Sequence, residues 1–301
     1  MKALNGIVVP LSTPLLIDER VDEIGLKNII SYVLDAGVDG IFILGSNGEF
    51  PCLRDKEKER LMRLAVKYID GRVPVFAGVS DNSTKRVIDN IKVAENSGVD
   101  YVISVLPYYY NEKNEGEGIK FFTEIADYSS LPILIYEIPL LTKRKLTLDN
   151  LRLLARNKNI VGLKDTTYDF ERFKQIVSEF KNDNNFSVFQ GDGGRVIEAV
   201  KIGCDGLVLA LSNVLPKTCV KLYQAALSGN FDKAHEYEKK YKKIRDSFQK
   251  HNIDSLIGIK YILSLLGICG PKVVSPFIPL KKDEKKYIKK LISDLKLLKN
   301  T

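Results

Sequence analysis

The sequence is short of the residues from which metal centres and disulfide frameworks are built. It has two histidines, His235 and His251, both in polar helix-like surroundings and neither with a partner at ligand spacing. A histidine-bound metal is therefore not expected. The four cysteines, Cys52, Cys204, Cys219 and Cys269, lie far apart and form no CxxC pair, as in reduced thiols of a cytoplasmic protein. No stretch approaches the roughly 18 apolar residues of a membrane-spanning helix. The opening "MKALNGIVVPLSTP" lacks the sustained apolar core and small-residue cleavage site of a signal peptide. No GxGxxG follows the first strand-like run, which argues against an open dinucleotide-binding sheet. Neither a metal nor an organic cofactor is expected.

Charge is plentiful but uneven. The formal net charge is +8, and residues 281–301 hold eight lysines against Asp283, Glu284 and Asp294. There Ile288, Leu291, Ile292 and Leu295 fall on one face of a helix, with lysines on the other. Tyr287 is the one aromatic of that segment. A solvated helix face fits this pattern better than a nucleic-acid surface.

At 301 residues and 45% hydrophobic, the chain suits two average domains or one barrel of about 250 residues with an addition. Candidate strands are 6–10, 40–44, 74–78, 101–105, 132–136, 160–164, 186–190 and 206–211. Amphipathic stretches such as "DKEKERLMRLAVKYI" and "TKRKLTLDNLRLLARN" separate them. This alternation predicts parallel strands with right-handed crossovers. "AGVDGIF", "SGVDYVI" and "IGCDGLV" repeat one pattern before strands 2, 4 and 8: a helix-ending glycine, an apolar residue, aspartate, then a strand. The expectation is an α/β fold, a (β/α)8 TIM barrel over 1–215 with a helical C-terminal extension over 216–301.

An active site of such a barrel lies at the C-terminal ends of its strands. "NIVGLKDTT" sets Lys164 at the end of strand 6, Tyr136 ends strand 5, "GSNGEF" follows strand 2 and "LPYYYN" follows strand 4. A strand-end lysine has two readings. Its stem lies on apolar surface with the ammonium in water, or it is desolvated enough to attack a carbonyl carbon unprotonated. The "GSNG" turn is either ordinary chain reversal or a source of free N–H groups at Ser46 and Asn47 for a carboxylate. Tyr136 and the tyrosine run at 108–110 also fit simple packing.

These segments resemble the signatures of the dihydrodipicolinate synthase/N-acetylneuraminate lyase superfamily of Schiff-base, pyruvate-handling aldolases. "GIFILGSNGEF" is similar to the first signature, with Asn47 in place of the second hydroxyl. "YEIPLLTKRKL" with "IVGLKD" is similar to the second, with Glu137 where Asn, Asp or Ser is usual. The likeness covers essentially the whole chain. It implies Lys164 as the imine lysine and Tyr136 as the proton-transfer group, linked through Ser46 to Tyr109 from a neighbouring subunit. It further implies substrate contacts at Ser46, Asn47, Gly48, Thr166, Gly191 and Ser212, and a homotetramer built as a dimer of dimers. The expected ligands are pyruvate and an aldehyde.

Leu141 stands where synthases of the lysine pathway carry an arginine for the aldehyde's carboxylate, although Lys143 and Arg144 follow closely. "KDTT" and "LALSNVLP" look more like the archaeal-type 2-keto-3-deoxygluconate aldolases. Relatives of that branch that take phosphorylated substrate follow the tyrosines with Pro-Arg, and this chain has Asn111-Glu112. The expectation is cleavage of 2-keto-3-deoxygluconate to pyruvate and glyceraldehyde, as in Entner-Doudoroff carbohydrate metabolism. The alternatives are 4-hydroxy-2-oxoglutarate aldolase, N-acetylneuraminate lyase, dihydrodipicolinate synthase, or a non-catalytic barrel that binds 2-oxo acids.

Overall fold

In the computed structural model, residues 4–110, 114 and 116–297 are described. Along the chain they form β1 (Gly6–Pro10), α1 (Glu23–Leu34), β2 (Gly40–Ile43), α2 (Asp55–Ile69), β3 (Val75–Gly78), α3 (Thr84–Ser97), β4 (Tyr101–Ser104), α4 (Gly116–Tyr128) and β5 (Ile133–Glu137). Next come α5 (Pro139–Thr142), α6 (Leu148–Leu154), β6 (Ile160–Asp165), α7 (Phe170–Phe180), β7 (Ser187–Gln190), α8 (Val196–Lys201) and β8 (Gly206–Leu207). A 3-10 turn (Ala210–Asn213), α9 (Pro216–Leu227), α10 (Phe231–Lys250), α11 (Ser255–Leu265) and α12 (Lys282–Asp294) follow. The strands pair in parallel, each with the next, and β8 closes on β1. This is the expected (β/α)8 barrel with helices appended at its C-terminal end. Among the described residues no helix is long and apolar enough to cross a membrane.

Side-chain alternation along each strand builds two apolar layers. Inward positions, including Val8, Phe42, Phe76, Leu134, Phe189 and Val208, fill the barrel. Outward neighbours such as Ile7, Val9, Ile41 and Leu163 join the larger core beneath the helices. The repeated glycine–aspartate pattern proves to be a joint between strands. Gly37, Gly98 and Gly203 hold positive φ, which stops the helix and turns the chain. The aspartates that follow each accept the backbone N–H of a neighbouring strand: Ile7 to Asp39 at 2.7 Å, Val75 to Asp100 at 2.8 Å and Val188 to Asp205 at 2.7 Å.

Two elements depart from the sequence expectation. Strand 8 was expected over 206–211 but ends at Leu207. Beyond it Ser212 Oγ donates to Leu209 O, and Asn213 Nδ2 donates to Ala210 O and, at the closing seam, to Pro10 O at the end of β1. These side chains take the carbonyls that a longer ladder would need, and the chain curls instead. The helical reading of "TKRKLTLDNLRLLARN" holds only from Leu148. Thr147 and Asn150 exchange capping hydrogen bonds there, and a capping box fixes where a helix starts. Residues 143–147 are left as a bridge between α5 and α6.

Candidate active site

Lys164 and Tyr136 are direct partners in the β5–β6 pairing, and both face the barrel interior. Lys164 is 4% exposed. Its Nζ lies 3.7 Å from the centroid of the Tyr136 ring and 5.2 Å from that of Phe42. Those two rings meet edge to face at 6.4 Å. Among the described residues no carboxylate forms an ion pair with Lys164. The side chain is thus buried against apolar and aromatic surface and does not reach out to water.

The "GSNG" turn borders this pair from the end of β2. Gly48 N–H donates to Gly45 O at 3.0 Å and Glu49 N–H to Ser46 O at 3.1 Å, while the N–H groups of Ser46 and Asn47 donate to no described residue. That leaves two adjacent donors for an anion, the arrangement expected of an anion-binding nest. Thr13 Oγ1 steadies the turn by donating to Gly48 O at 2.8 Å. A Cβ at Gly48 would come within 3.2 Å of Leu11 O and Gly45 N, so the close approach itself calls for glycine. Below the turn, the buried Glu49 carboxylate accepts from Val274 N–H at 2.7 Å and pairs with Lys260 of α11. The appended helices thus hold the turn in place. Burial disfavours the charged Lys260 and lowers its pKa, with Glu49 pulling the other way.

On the other side, Thr166 Oγ1 is buried without a hydrogen-bond partner. It lies 2.1 Å from where a Cβ on Gly191 would stand, so glycine at 191 leaves room for that hydroxyl. Ser212 is buried and its hydroxyl proton is already given to Leu209 O at 2.5 Å. Tyr109 is 76% exposed. Its N–H donates to Asn82 Oδ1 at 3.0 Å and its ring meets Tyr110 edge to face. Within one chain it is therefore not joined to Ser46, whereas Tyr108, packed against Phe50, lines a cavity with Ser46.

Two cavities flank the rim. One of about 330 Å³ is lined by Ser46, Phe50, Tyr108, Ile138, Leu141 and Phe277. The other, of about 610 Å³, is lined by Tyr168, Gly191, Asp192, Arg195, Tyr241 and Arg245 among others. Burial raises the Tyr168 hydroxyl above its usual pKa, with the Asp192 carboxylate adding to the rise. Lys143 Nζ donates to Leu140 O at 2.9 Å, and Arg144 Nη1 donates to Pro107 O and Tyr110 O. Both cations that follow Leu141 are thus engaged with backbone. Asn111 and Glu112, which entered the reading of phosphate preference, lie outside the described residues.

Sequence reasoning passed over Thr13, Asn213, Arg172 and Lys260. Arg172 binds Glu137 and Asp165, the residues that follow Tyr136 and Lys164. Burial pushes both carboxyls above their usual range and the guanidinium beside them pulls the other way. The one signal for this group in the sequence was the unusual Glu137.

A closed parallel barrel with a strand-end lysine on a tyrosine ring, beside a glycine-bounded turn with free N–H groups, is the arrangement expected of a Schiff-base aldolase barrel. The sequence profile of the dihydrodipicolinate synthetase family matches residues 3–295, and the chain belongs to that family. It is accordingly an enzyme, a pyruvate-dependent class I aldolase. It is 34% identical to a 4-hydroxy-tetrahydrodipicolinate synthase of Bartonella henselae over 98% of this chain and 99% of the relative. It is 31% identical to YagE of Escherichia coli, a putative 2-dehydro-3-deoxy-D-gluconate aldolase, with 97% of each chain covered. The crystal structure of YagE in complex with pyruvate superposes with a TM-score of 0.91, covering 98% of this chain and 99% of that one.

Proposed function

We propose that Lys164 forms the imine with a 2-oxo acid and that the enzyme reversibly cleaves 2-keto-3-deoxygluconate to pyruvate and glyceraldehyde. The observation that carries this reading is the Lys164 amine, buried on the Tyr136 ring and free of any carboxylate among the described residues. The unprotonated amine attacks C2 of the keto acid, and loss of water from the carbinolamine gives an iminium. The substrate carboxylate is met by the Ser46 and Asn47 N–H groups. Tyr136, left as a phenolate after giving its proton to the departing water, accepts the proton of the C4 hydroxyl as the C3–C4 electron pair moves into the iminium. Glyceraldehyde leaves and an enamine remains. Protonation at C3 and hydrolysis then release pyruvate and restore the amine.

The choice of sugar acid over aspartate semialdehyde rests on Leu141, an apolar side chain that offers no guanidinium to a second carboxylate. Lys143 and Arg144, the nearest substitutes, are bound to backbone carbonyls. The likeness to 4-hydroxy-tetrahydrodipicolinate synthases supports a second reading, condensation of pyruvate with the semialdehyde, and the test therefore includes both. Pyruvate and borohydride are expected to leave a reduced adduct on the peptide holding Lys164. In parallel, kcat/KM is measured for 2-keto-3-deoxygluconate, its 6-phosphate and the condensation. We expect the unphosphorylated acid to lead the 6-phosphate by roughly ten- to a hundredfold, with negligible condensation. Efficient condensation would move the enzyme to the second reading, and absence of label on Lys164 would remove the imine mechanism.

A further inference from the structure

Arg172 lies in the first turn of α7, its N–H capped by Asp169 Oδ1 at 3.1 Å. Its guanidinium spans two strands. Nη1 donates to Asp165 Oδ2 at 2.8 Å, and Nη2 donates to Glu137 Oε2 at 2.5 Å and to Leu146 O at 2.8 Å. The remaining carboxylate oxygens are taken too. Leu146 N–H donates to Glu137 Oε1, and the N–H and hydroxyl of Thr167 donate to Asp165 Oδ1. Both carboxylates are buried, the guanidinium is partly exposed, and every carboxylate oxygen has a partner.

Its location gives it a bearing on the chemistry. Glu137 immediately follows Tyr136, Asp165 immediately follows Lys164, and the two stand opposite each other in the sheet. Lower in the same pair of strands the register shifts: Ile133 opposes Ile160, yet Leu134 opposes Gly162. An irregularity of this kind interrupts the ladder and bends the strand, so hydrogen bonds below it fix the upper register less firmly. Above it the pairing runs unbroken through Tyr136–Lys164 and ends at Glu137–Asp165, the pair that one guanidinium joins from outside the barrel.

We propose that Arg172 is a positioning residue: by tying Glu137 to Asp165 it holds the Tyr136 hydroxyl and the Lys164 amine in the mutual geometry that the aldol cleavage needs. This rests on the assignment of Lys164 and Tyr136 made above. A lysine at 172 keeps the charge but, as a point ammonium, does not span two carboxylates in a fixed plane. Glu137→Gln keeps the shape of the side chain while removing the charge that meets the guanidinium.

The test is a kinetic cycle. In the parent enzyme, Arg172→Lys and Glu137→Gln are each expected to lower kcat by roughly ten- to a hundredfold with KM within about threefold, as misplacement of reacting groups does. In a Tyr136→Phe background the hydroxyl is already gone, so each is expected to cost less than about threefold more. Unchanged kcat, or the same loss in both backgrounds, would reduce Arg172 to a structural ion pair and overturn the proposal. Glu137→Gln carries the test if Arg172→Lys does not fold. Borohydride trapping of pyruvate on wild-type Lys164 is run alongside. Failure of trapping removes the imine assignment and the proposal with it, whereas successful trapping with equal losses removes the positioning role alone.

Discussion

Lys164 and Tyr136 form a pair in which each side chain has one replaceable feature. Lys164→Ala removes the amine from a rim position, so turnover is expected to vanish while circular dichroism stays that of the folded protein. Tyr136→Phe keeps the ring on which Lys164 rests and removes only the hydroxyl. Proton-transfer groups contribute about 10² to 10⁴ in rate, and steady-state kcat is expected to fall on that scale; a near-wild-type rate would take Tyr136 out of the mechanism. Gly191 is constrained by space. Its Cβ would stand 2.1 Å from Thr166 Oγ1 and 3.0 Å from Asp165 O. Gly191→Ala is therefore expected to cost about 1–3 kcal/mol by overpacking, read by urea denaturation, and to raise KM by displacing Thr166.

At the scale of elements, the C-terminal helices act on the rim through one buried ion pair. Lys260 of α11 and Glu49 after β2 are both 0% exposed, and Glu49 holds a left-handed backbone at φ 60° at the foot of the Ser46–Asn47 turn. Lys260→Met leaves the carboxylate buried with only Val274 N–H as donor. Breaking such a pair from one side costs about 3–5 kcal/mol, whereas removing both charges costs far less. The unfolding free energy is thus expected to drop sharply in Lys260→Met and to recover in Lys260→Met/Glu49→Gln. The KM for pyruvate is expected to follow, because the turn proposed to receive its carboxylate hangs from Glu49. Loss of stability with an unchanged KM would separate the helices from the site.

For the molecule as a whole, Tyr109, Tyr110, Leu140 and Leu141 are exposed large side chains of the β4 and β5 connections, and Leu141 shares a cavity with Phe277 and Ser46. Contiguous apolar exposure beside a site is a mark of an interaction surface. We propose that a second copy of the chain covers it, supplying Tyr109 to the neighbour's Ser46, with two such pairs making a tetramer. Sedimentation is expected to show no active monomer, and Tyr109→Ala is expected to weaken both association and turnover. A fully active monomer would contradict this. The basic last helix packs its apolar face on the protein. Ile288, Leu291 and Ile292 are buried and the lysines between them face out, as the spacing alone predicts.

The extents of strands 1 to 7 to within a residue at each end, the order around the barrel and the glycine stops before strands 2, 4 and 8 were legible in the chain. Alternation, glycine caps and a strand-start aspartate act over a few residues, and a sequence carries them in plain order. The rim positions of Lys164 and Tyr136 followed from that, because closing the strands puts all their C-terminal ends on one face. What answers each charge was not legible. Arg172 meets Glu137 across 35 positions and Lys260 meets Glu49 across 211. Nothing local marks such a partner, since its worth depends on burial that exists only once the barrel has closed and the appended helices have docked. The early end of β8 has the same origin. Asn213 gives its amide to Pro10 O, 203 positions away, and only the closed barrel brings that carbonyl within reach.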